Sequence, residues 1–418
     1  MTSEIAVLTK QAVALAADSA GTLNENKIFN TVNKVFSLSK HQPVGVMVYS
    51  SSEVMGAPVE TVIKEFRRIQ GTTAYEHLDG YAQALETFLS SNTSVFSDAA
   101  RLRALADIAS DRVVAVARGA YDILPDSPEW GRPTKSEARL AYLKSLGRQE
   151  KRVYGRPMLH ADHPVKLRGL VSRAIEDRLN QDIRETRSRF PISATTEQRI
   201  RRLALHCLLR DVEPGMETGF VIAGFGTGDV FPSLRAFEFC CSACGCHRVK
   251  SRVSVDVSNE RVAYIHGFAQ TNAMMSFVQG MDPQYVPSLT RFVRSFFREK
   301  KRQFRKDKKT ADVVERIGSD LREALARELD QLGRDFYSPL MGVVASMPKE
   351  DLAVLAEALI NLTALRMRAS ADAETVGGPT DVAVISKGDG LIWIKRKHYF
   401  DMGLNPTFGA ISGAGGTR

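Results

Sequence analysis

The first thirty-four residues constrain this chain more than any other stretch. They open MTSEIAVLTKQAVALAADSAG, where two apolar runs, Ile5 to Leu8 and Ala12 to Ala17, flank the polar pair Thr9 and Lys10. Short apolar runs bounded by polar turn residues read as paired strands, so the chain begins with a β-hairpin. Loss of the initiator Met, expected before a small residue, makes Thr2 the first residue, and Asp18 and Lys34 then follow at equal steps of sixteen. A hydroxyl, a carboxylate and an ammonium are thereby tied to the start of one hairpin.

A threonine at a free N-terminus carries both halves of a nucleophile and base pair: the hydroxyl attacks and the residue's own α-amine takes the proton. An α-amine titrates at about 7.7 to 8.0 and a lysine at about 10.4, so only the former has an appreciable neutral fraction at neutral pH. A Lys34 ammonium close by drives the amine towards its neutral form, and Asp18 holds that ammonium in place. The structural alternative is that Asp18 ends a strand and Lys34 lies on a solvated face.

This opening resembles the catalytic β-subunits of proteasomes and their simpler bacterial relatives, the N-terminal nucleophile (Ntn) hydrolases. The chain would be an enlarged bacterial relative with helical insertions. Asp18, in AADS, and Lys34, in NKVFSL, match the family's Asp and Lys, with Thr2 as nucleophile. The resemblance covers Thr2 to about Gly71, about Gly219 to Gly280, and about Asp372 to Phe400. It implies an α+β fold, a four-layer αββα Ntn-hydrolase sandwich with a large helical insertion. It also implies cleavage of amide bonds, peptide bonds foremost, through an acyl-enzyme on Thr2, with no metal or cofactor. Ring assembly, hence a homo-oligomer acting on polypeptide, is implied too, and an unfoldase partner follows by analogy alone. The oxyanion donor is implied to be backbone near Tyr49 or Ser50, at the end of PVGVMVYSS. Asp372 and Thr375 keep the three-residue spacing of a family Asp and Ser. Where the family places a serine beside the threonine this chain has Phe268, which cannot hydrogen-bond an amine. Either His266 or Gln270 serves instead, or activity is reduced or absent, so a non-catalytic Ntn-fold scaffold that binds partners is the rival reading.

The organisation expected is a discontinuous domain over 1–71 and 218–418 around a mainly helical insertion over 72–217. Apolar residues recur at three- and four-residue intervals through HLDGYAQALETFL, DAARLRALADIA and EQRIRRLALHCLL, the helical period. Further helices are expected from Pro287 to Asp307, Thr310 to Leu332 and Lys349 to Met367. DVAVIS and LIWIKR around Lys387, Gly388, Asp389 and Gly390 read as a closing hairpin.

Composition sets the remaining limits. With 44% apolar and 25% charged residues the chain is of globular type, and it has no run near the roughly 18 apolar residues of a membrane span. Four of the five cysteines crowd into CCSACGCH rather than a spaced disulfide framework, so a cytoplasmic protein is expected. Cys241, Cys244, Cys246 and His247 are candidate zinc ligands, but they lie within seven residues, and a cysteine-rich hairpin turn is the preferred reading. HADH at His160 to His163 reads as a polar loop. Gly224, Gly226 and Gly228 lack the lysine of a phosphate loop and read as a turn. Of the net charge of +9, seven belong to Arg294 to Lys309, with nine basic and two acidic residues. Phe296, Phe297 and Phe304 interleave with it, and the preferred reading is a buried aromatic stripe under a solvated basic face, so nucleic acid is not an expected partner.

Overall fold

The opening hairpin forms as expected: β1 (Ser3–Thr9) and β2 (Ala12–Ala17) pair antiparallel, with Glu4 opposite Ala17 and Leu8 opposite Val13. The computed structural model describes residues 2–23, 27–124, 133–158, 173–213, 215–243, 246–370, 376–398 and 400. HADH, Asp372, Thr375, Cys244 and the glycine-rich tail lie outside these described residues, and for Cys246 only the backbone is described.

In chain order there follow β3 (Gly21–Leu23), β4 (Lys27–Phe29), β5 (Val35–Ser37), β6 (Val44–Ser50), β7 (Glu53–Val54) and β8 (Ala57–Pro58). Six helices come next: α1 (Val59–Gln70), α2 (Leu78–Ser91), α3 (Asp98–Tyr121), α4 (Lys135–Tyr154), α5 (Arg173–Arg189) and α6 (Ala194–Leu209). Strands β9 (Thr218–Gly224), β10 (Ser233–Ala243), β11 (Cys246–Asp256) and β12 (Ala263–Ala269) lead to α7 (Asn272–Gln279), α8 (Tyr285–Gln303), α9 (Lys308–Ala345) and α10 (Lys349–Arg368). The chain closes with β13 (Asp381–Ser386) and β14 (Gly390–Lys395), the expected final hairpin.

Two five-stranded antiparallel sheets result, one in the order β12-β1-β2-β13-β14 and the other β11-β10-β9-β6-β5. Successive side chains of a strand point to opposite faces, and β1 shows what that achieves. Ile5 and Val7 pack with Met274, Val344, Leu352 and Ile360 of α7, α9 and α10. Ala6 and Leu8 face the other way and join Met47, Tyr49, Val221 and Ala223 of the second sheet. The outer face of that sheet, with Val46, Phe220 and Phe239, is covered by Val62 and Phe66 of α1 and Leu85 and Phe88 of α2. The protein is thus a mixed α and β fold built on antiparallel sheets.

Helices α3 to α6 share a core of their own, with Val113, Tyr142, Ile183 and Leu203, and it reaches Cys240 and Cys241 on β10. Their starts carry oxygen caps for orphan amides: Ser97 accepts from Ala100 N, Ser193 accepts from Thr196 N, and Thr134 forms a capping box with Glu137. Two buried arginines tie them to the second sheet. Arg101 donates to the carbonyls of Ser90 (2.6 Å), Asn92 (2.9 Å), Phe96 (3.1 Å) and Ser242 (2.7 Å). Arg248 of β11 donates to Cys207 O and Leu208 O, both at 3.1 Å, and so satisfies carbonyls at the C-terminus of α6.

Two expectations need correction. The helix expected to stop at Leu332 runs on through Pro339 to Ala345, because Met341 and Val344 pack beneath the first sheet and compensate the hydrogen bond that a proline removes. Phe296 and Phe304, expected in a buried stripe, are exposed, and on α8 it is Val293 that turns inward. Among the described residues no helix is long and apolar enough to cross a membrane.

Candidate active site

Thr2, Asp18 and Lys34 meet because each stands at the end of a strand. Thr2 precedes β1, Asp18 follows β2 at the same edge of the hairpin, and Lys34 precedes β5. The Lys34 backbone is fixed by Val48 N–H, which donates to Lys34 O at 2.8 Å, and Thr2 O accepts from Gln270 N–H at 3.0 Å. All three residues are buried.

Asp18 is saturated with donors. Its Oδ1 accepts from Ser3 N–H (3.0 Å) and from the Lys34 ammonium, and its Oδ2 accepts from Ala20 N–H (3.2 Å) and Gly377 N–H (3.0 Å). Gly377 lies just beyond the segment holding Asp372 and Thr375. The aspartate thus accepts from the Lys34 ammonium, and it also joins the chain before β13 to the first hairpin.

One residue at this centre was missed in the sequence. Glu4 is fully buried, at 0% exposure, and its Oε1 stands 3.4 Å from Lys34 Nζ. That is an ion-pair distance without hydrogen-bond geometry, and neither Glu4 oxygen has a hydrogen-bond partner among the described residues. The carboxyl is raised from 4.5 to about 7: burial pushes it up most, the Lys34 ammonium opposes that, the Asp18 carboxylate adds to it, and the nearby Thr2 hydroxyl and Lys34 ammonium favour the anion. Thr2 Oγ1 is likewise buried without a well-formed hydrogen bond among the described residues. The signal was strand parity: Glu4 shares the face of Ala6 and Leu8, so a charged side chain there must enter the space between the sheets.

Thr2 opens on a cleft of about 990 Å³, lined also by Lys34, Tyr49, Ser50, Met55 and Glu217, with Arg103 and Asp107 of α3 on its far wall. Ser50 ends β6 with φ +70°, left-handed backbone unusual for serine. Tyr49 donates its hydroxyl to Glu238 Oε1 at 3.1 Å, and burial followed by the Glu238 carboxylate raises its pKa. Its ring fits because Gly219 stands opposite on β9, where a Cβ would come within 2.1 Å of that ring.

Phe268 lies opposite Glu4 in the β1–β12 ladder and stacks on Tyr49 with ring centroids 5.3 Å apart. His266 meets the Tyr264 hydroxyl through Nδ1 at 2.9 Å and is pushed down by burial, and Gln270 meets Thr2 through its backbone N–H. Among the described residues no group of His, Cys, Asp or Glu could hold a metal ion. Cys241 is buried against Cys240, and exposed His247 meets Ser242 Oγ through Nδ1 at 2.6 Å. Ala243 pairs with Cys246, which makes this stretch a hairpin.

No family model matches the chain, and no curated protein matches it either. Among solved structures it is similar to Anbu, described as an ancestral beta-subunit, from Yersinia bercovieri, at 8% identity and TM-score 0.29, covering 99% of this chain and 95% of that one. It is similar to Anbu from Hyphomicrobium sp. strain MC1, at 9% identity and TM-score 0.29 over 99% and 94% of the two chains. A third similarity is to Anbu from Pseudomonas aeruginosa, solved as a helical assembly, at 8% identity and TM-score 0.28 over 99% and 93%. The assignment to proteasome β-subunits, as an enlarged bacterial relative, is corrected by these findings. The structures found are Anbu chains at low similarity, and no family model supports the lineage. Three side chains at fixed spacing specify the geometry of a site and not the ancestry of its scaffold.

Proposed function

We infer that this protein hydrolyses amide bonds, peptide bonds foremost, with Thr2 as nucleophile once Met1 is removed. The observation that carries this reading is a buried threonine hydroxyl, without a hydrogen-bond partner among the described residues, at the wall of a large cleft and beside a buried ammonium. In the proposed reaction Thr2 Oγ1 attacks the carbonyl carbon while its proton passes to the α-amine of Thr2. Lys34 keeps that amine neutral by like-charge repulsion, and Asp18 fixes Lys34. Backbone amides near Tyr49 and Ser50 face the developing oxyanion, a contribution of about 10² to 10³ in rate for each donor. The leaving amine takes the proton, and water then hydrolyses the ester on Thr2 with the same amine as base. Asp372 and Thr375 are proposed as supporting residues.

The layering is read as an αββα sandwich over 1–71 and 218–418, with 72–217 as a helical unit whose α3 walls the cleft. We read the protein as a homo-oligomer, supported by the exposed Phe292, Phe296, Leu321 and Phe336 on α8 and α9. Light scattering tests this, and a monomer across micromolar concentrations removes it. The second reading, a non-catalytic scaffold, is favoured by Phe268, which sets an apolar ring across from Glu4.

The decisive experiment treats the native protein with a peptide epoxyketone, which needs both the hydroxyl and a free α-amine, and locates the adduct by mass spectrometry. Adduct on Thr2 is expected. Retention of Met1, or no adduct at any pH, leaves the scaffold.

A further inference from the structure

Glu4 is the group at this centre that the reaction above leaves unused. Both its oxygens are buried without a hydrogen bond of full geometry among the described residues, and the donors near them are the Lys34 ammonium, 3.4 Å from one, and the Thr2 hydroxyl. Asp18, by contrast, receives three backbone N–H groups and the Lys34 ammonium. A buried carboxylate this short of well-placed donors is costly, and one further donor would relieve it. Before Met1 is removed, Thr2 offers one peptide N–H. Afterwards it offers an ammonium with three, on the residue two positions away whose side chain shares the face of Glu4.

We propose that Glu4 is the receptor for the α-amine that removal of Met1 creates on Thr2, a positioning residue that aims this amine at the Thr2 hydroxyl. The inference rests on the reading of Thr2 as nucleophile. Phe268, directly opposite Glu4 in the ladder, offers no competing acceptor, and its ring stacks on Tyr49. The charged and titratable groups facing Glu4 are Lys34 before β5, Asp18 after β2, Tyr49 on β6 and His266 on β12. Of these, Lys34 is the cation, and its ammonium is shared: it donates to Asp18 and stands 3.4 Å from Glu4 Oε1, leaving room for further donors on Glu4. Glu4 therefore accepts from the amine in its anionic form and releases it when protonated, so the centre loosens as pH falls.

The test uses the full chain with Met1 removal verified by intact mass, and compares wild type, Glu4→Gln and Glu4→Asp. Two quantities are read from pH 5 to 9: the rate of epoxyketone labelling of Thr2, and the α-amine pKa from the pH dependence of its acetylation. Loss of positioning is expected to slow Glu4→Gln labelling by about 100-fold, with partial recovery in Glu4→Asp. The α-amine pKa is expected to fall in Glu4→Gln, since an anion is lost while the Lys34 cation stays. A purely structural Glu4 would move neither the pKa nor the shape of the profile. Glu4→Gln that labels at the wild-type rate with an unchanged amine pKa overturns this proposal alone. Wild type that fails to label overturns the nucleophile reading and this proposal with it. If Glu4→Gln is unfolded in thermal melts, Glu4→Asp decides: labelling at the wild-type rate with an unchanged amine pKa overturns the proposal.

Discussion

The charge on Glu4 makes stability depend on pH in an unusual direction. Its carboxyl is raised from 4.5 to about 7 in the folded protein, chiefly by burial. The folded state therefore binds a proton more tightly than the unfolded chain, and Glu4 favours folding while protonated. That advantage is full below the unfolded value, near 4.5, and is lost as pH rises through about 7. At about 1.4 kcal/mol per pH decade, the gap corresponds to roughly 3 kcal/mol. Glu4→Gln, which keeps the shape and removes the titration, should match wild type near pH 4 and exceed it by up to about 3 kcal/mol at pH 8. Urea unfolding at five pH values, followed by circular dichroism, measures this. The comparison is cleanest in protein that retains Met1, because an α-ammonium beside Glu4 would draw its carboxyl back down and shrink the effect. A wild-type to Glu4→Gln difference that is flat from pH 5 to 8 refutes the reasoning, as would one that grows towards acid.

Other substitutions separate chemistry from packing. Thr2→Ala and Lys34→Arg should abolish cleavage of fluorogenic peptides with thermal melts unchanged for the first, since one loses the proposed nucleophile and the other replaces a compact ammonium with a bulky fork. Thr2→Ser should retain part of the activity. Phe268→Ser should cost about 3 to 5 kcal/mol in unfolding experiments, because the ring is buried and stacked on Tyr49; a loss under 1 kcal/mol would mean the site collapses around the gap. The basic segment Arg294 to Lys309 should bind polyanions weakly, with affinity falling by orders of magnitude between low and moderate salt, and salt-independent binding would rule out an electrostatic origin.

Much of the centre was legible because strand ends carry it. The apolar runs around Thr9 and Lys10 fixed the hairpin, and the hairpin alone brings Asp18 beside Ser3. Lys34 followed from spacing and chemical complementarity. Glu4 was legible in principle by parity with Ala6 and Leu8, yet a single charge at the start of a strand reads first as a solvated end. The exposure of Phe296 was not legible, since periodicity locates an apolar face and does not say whether the chain itself supplies a neighbour for it. Ancestry was the least legible of all: the strings around Thr2, Asp18 and Lys34 describe a chemical need, and the comparisons tie them to no family model.

The four donors on Asp18 come from residues 3, 20, 34 and 377. The last of these is made long after the other three, and β13, which follows it, fills the place beside β2 in the first sheet. A chain still emerging from the ribosome thus holds its hairpin, its lysine and its threonine, and lacks the strand and the amide that complete their surroundings. Bringing residue 377 to residue 18 closes a loop of most of the molecule, a contact of the kind that forms late in folding. Under the proposed function, the surroundings of Thr2 are complete only once residue 377 has docked, so a product that stops before it lacks one of the four donors on Asp18.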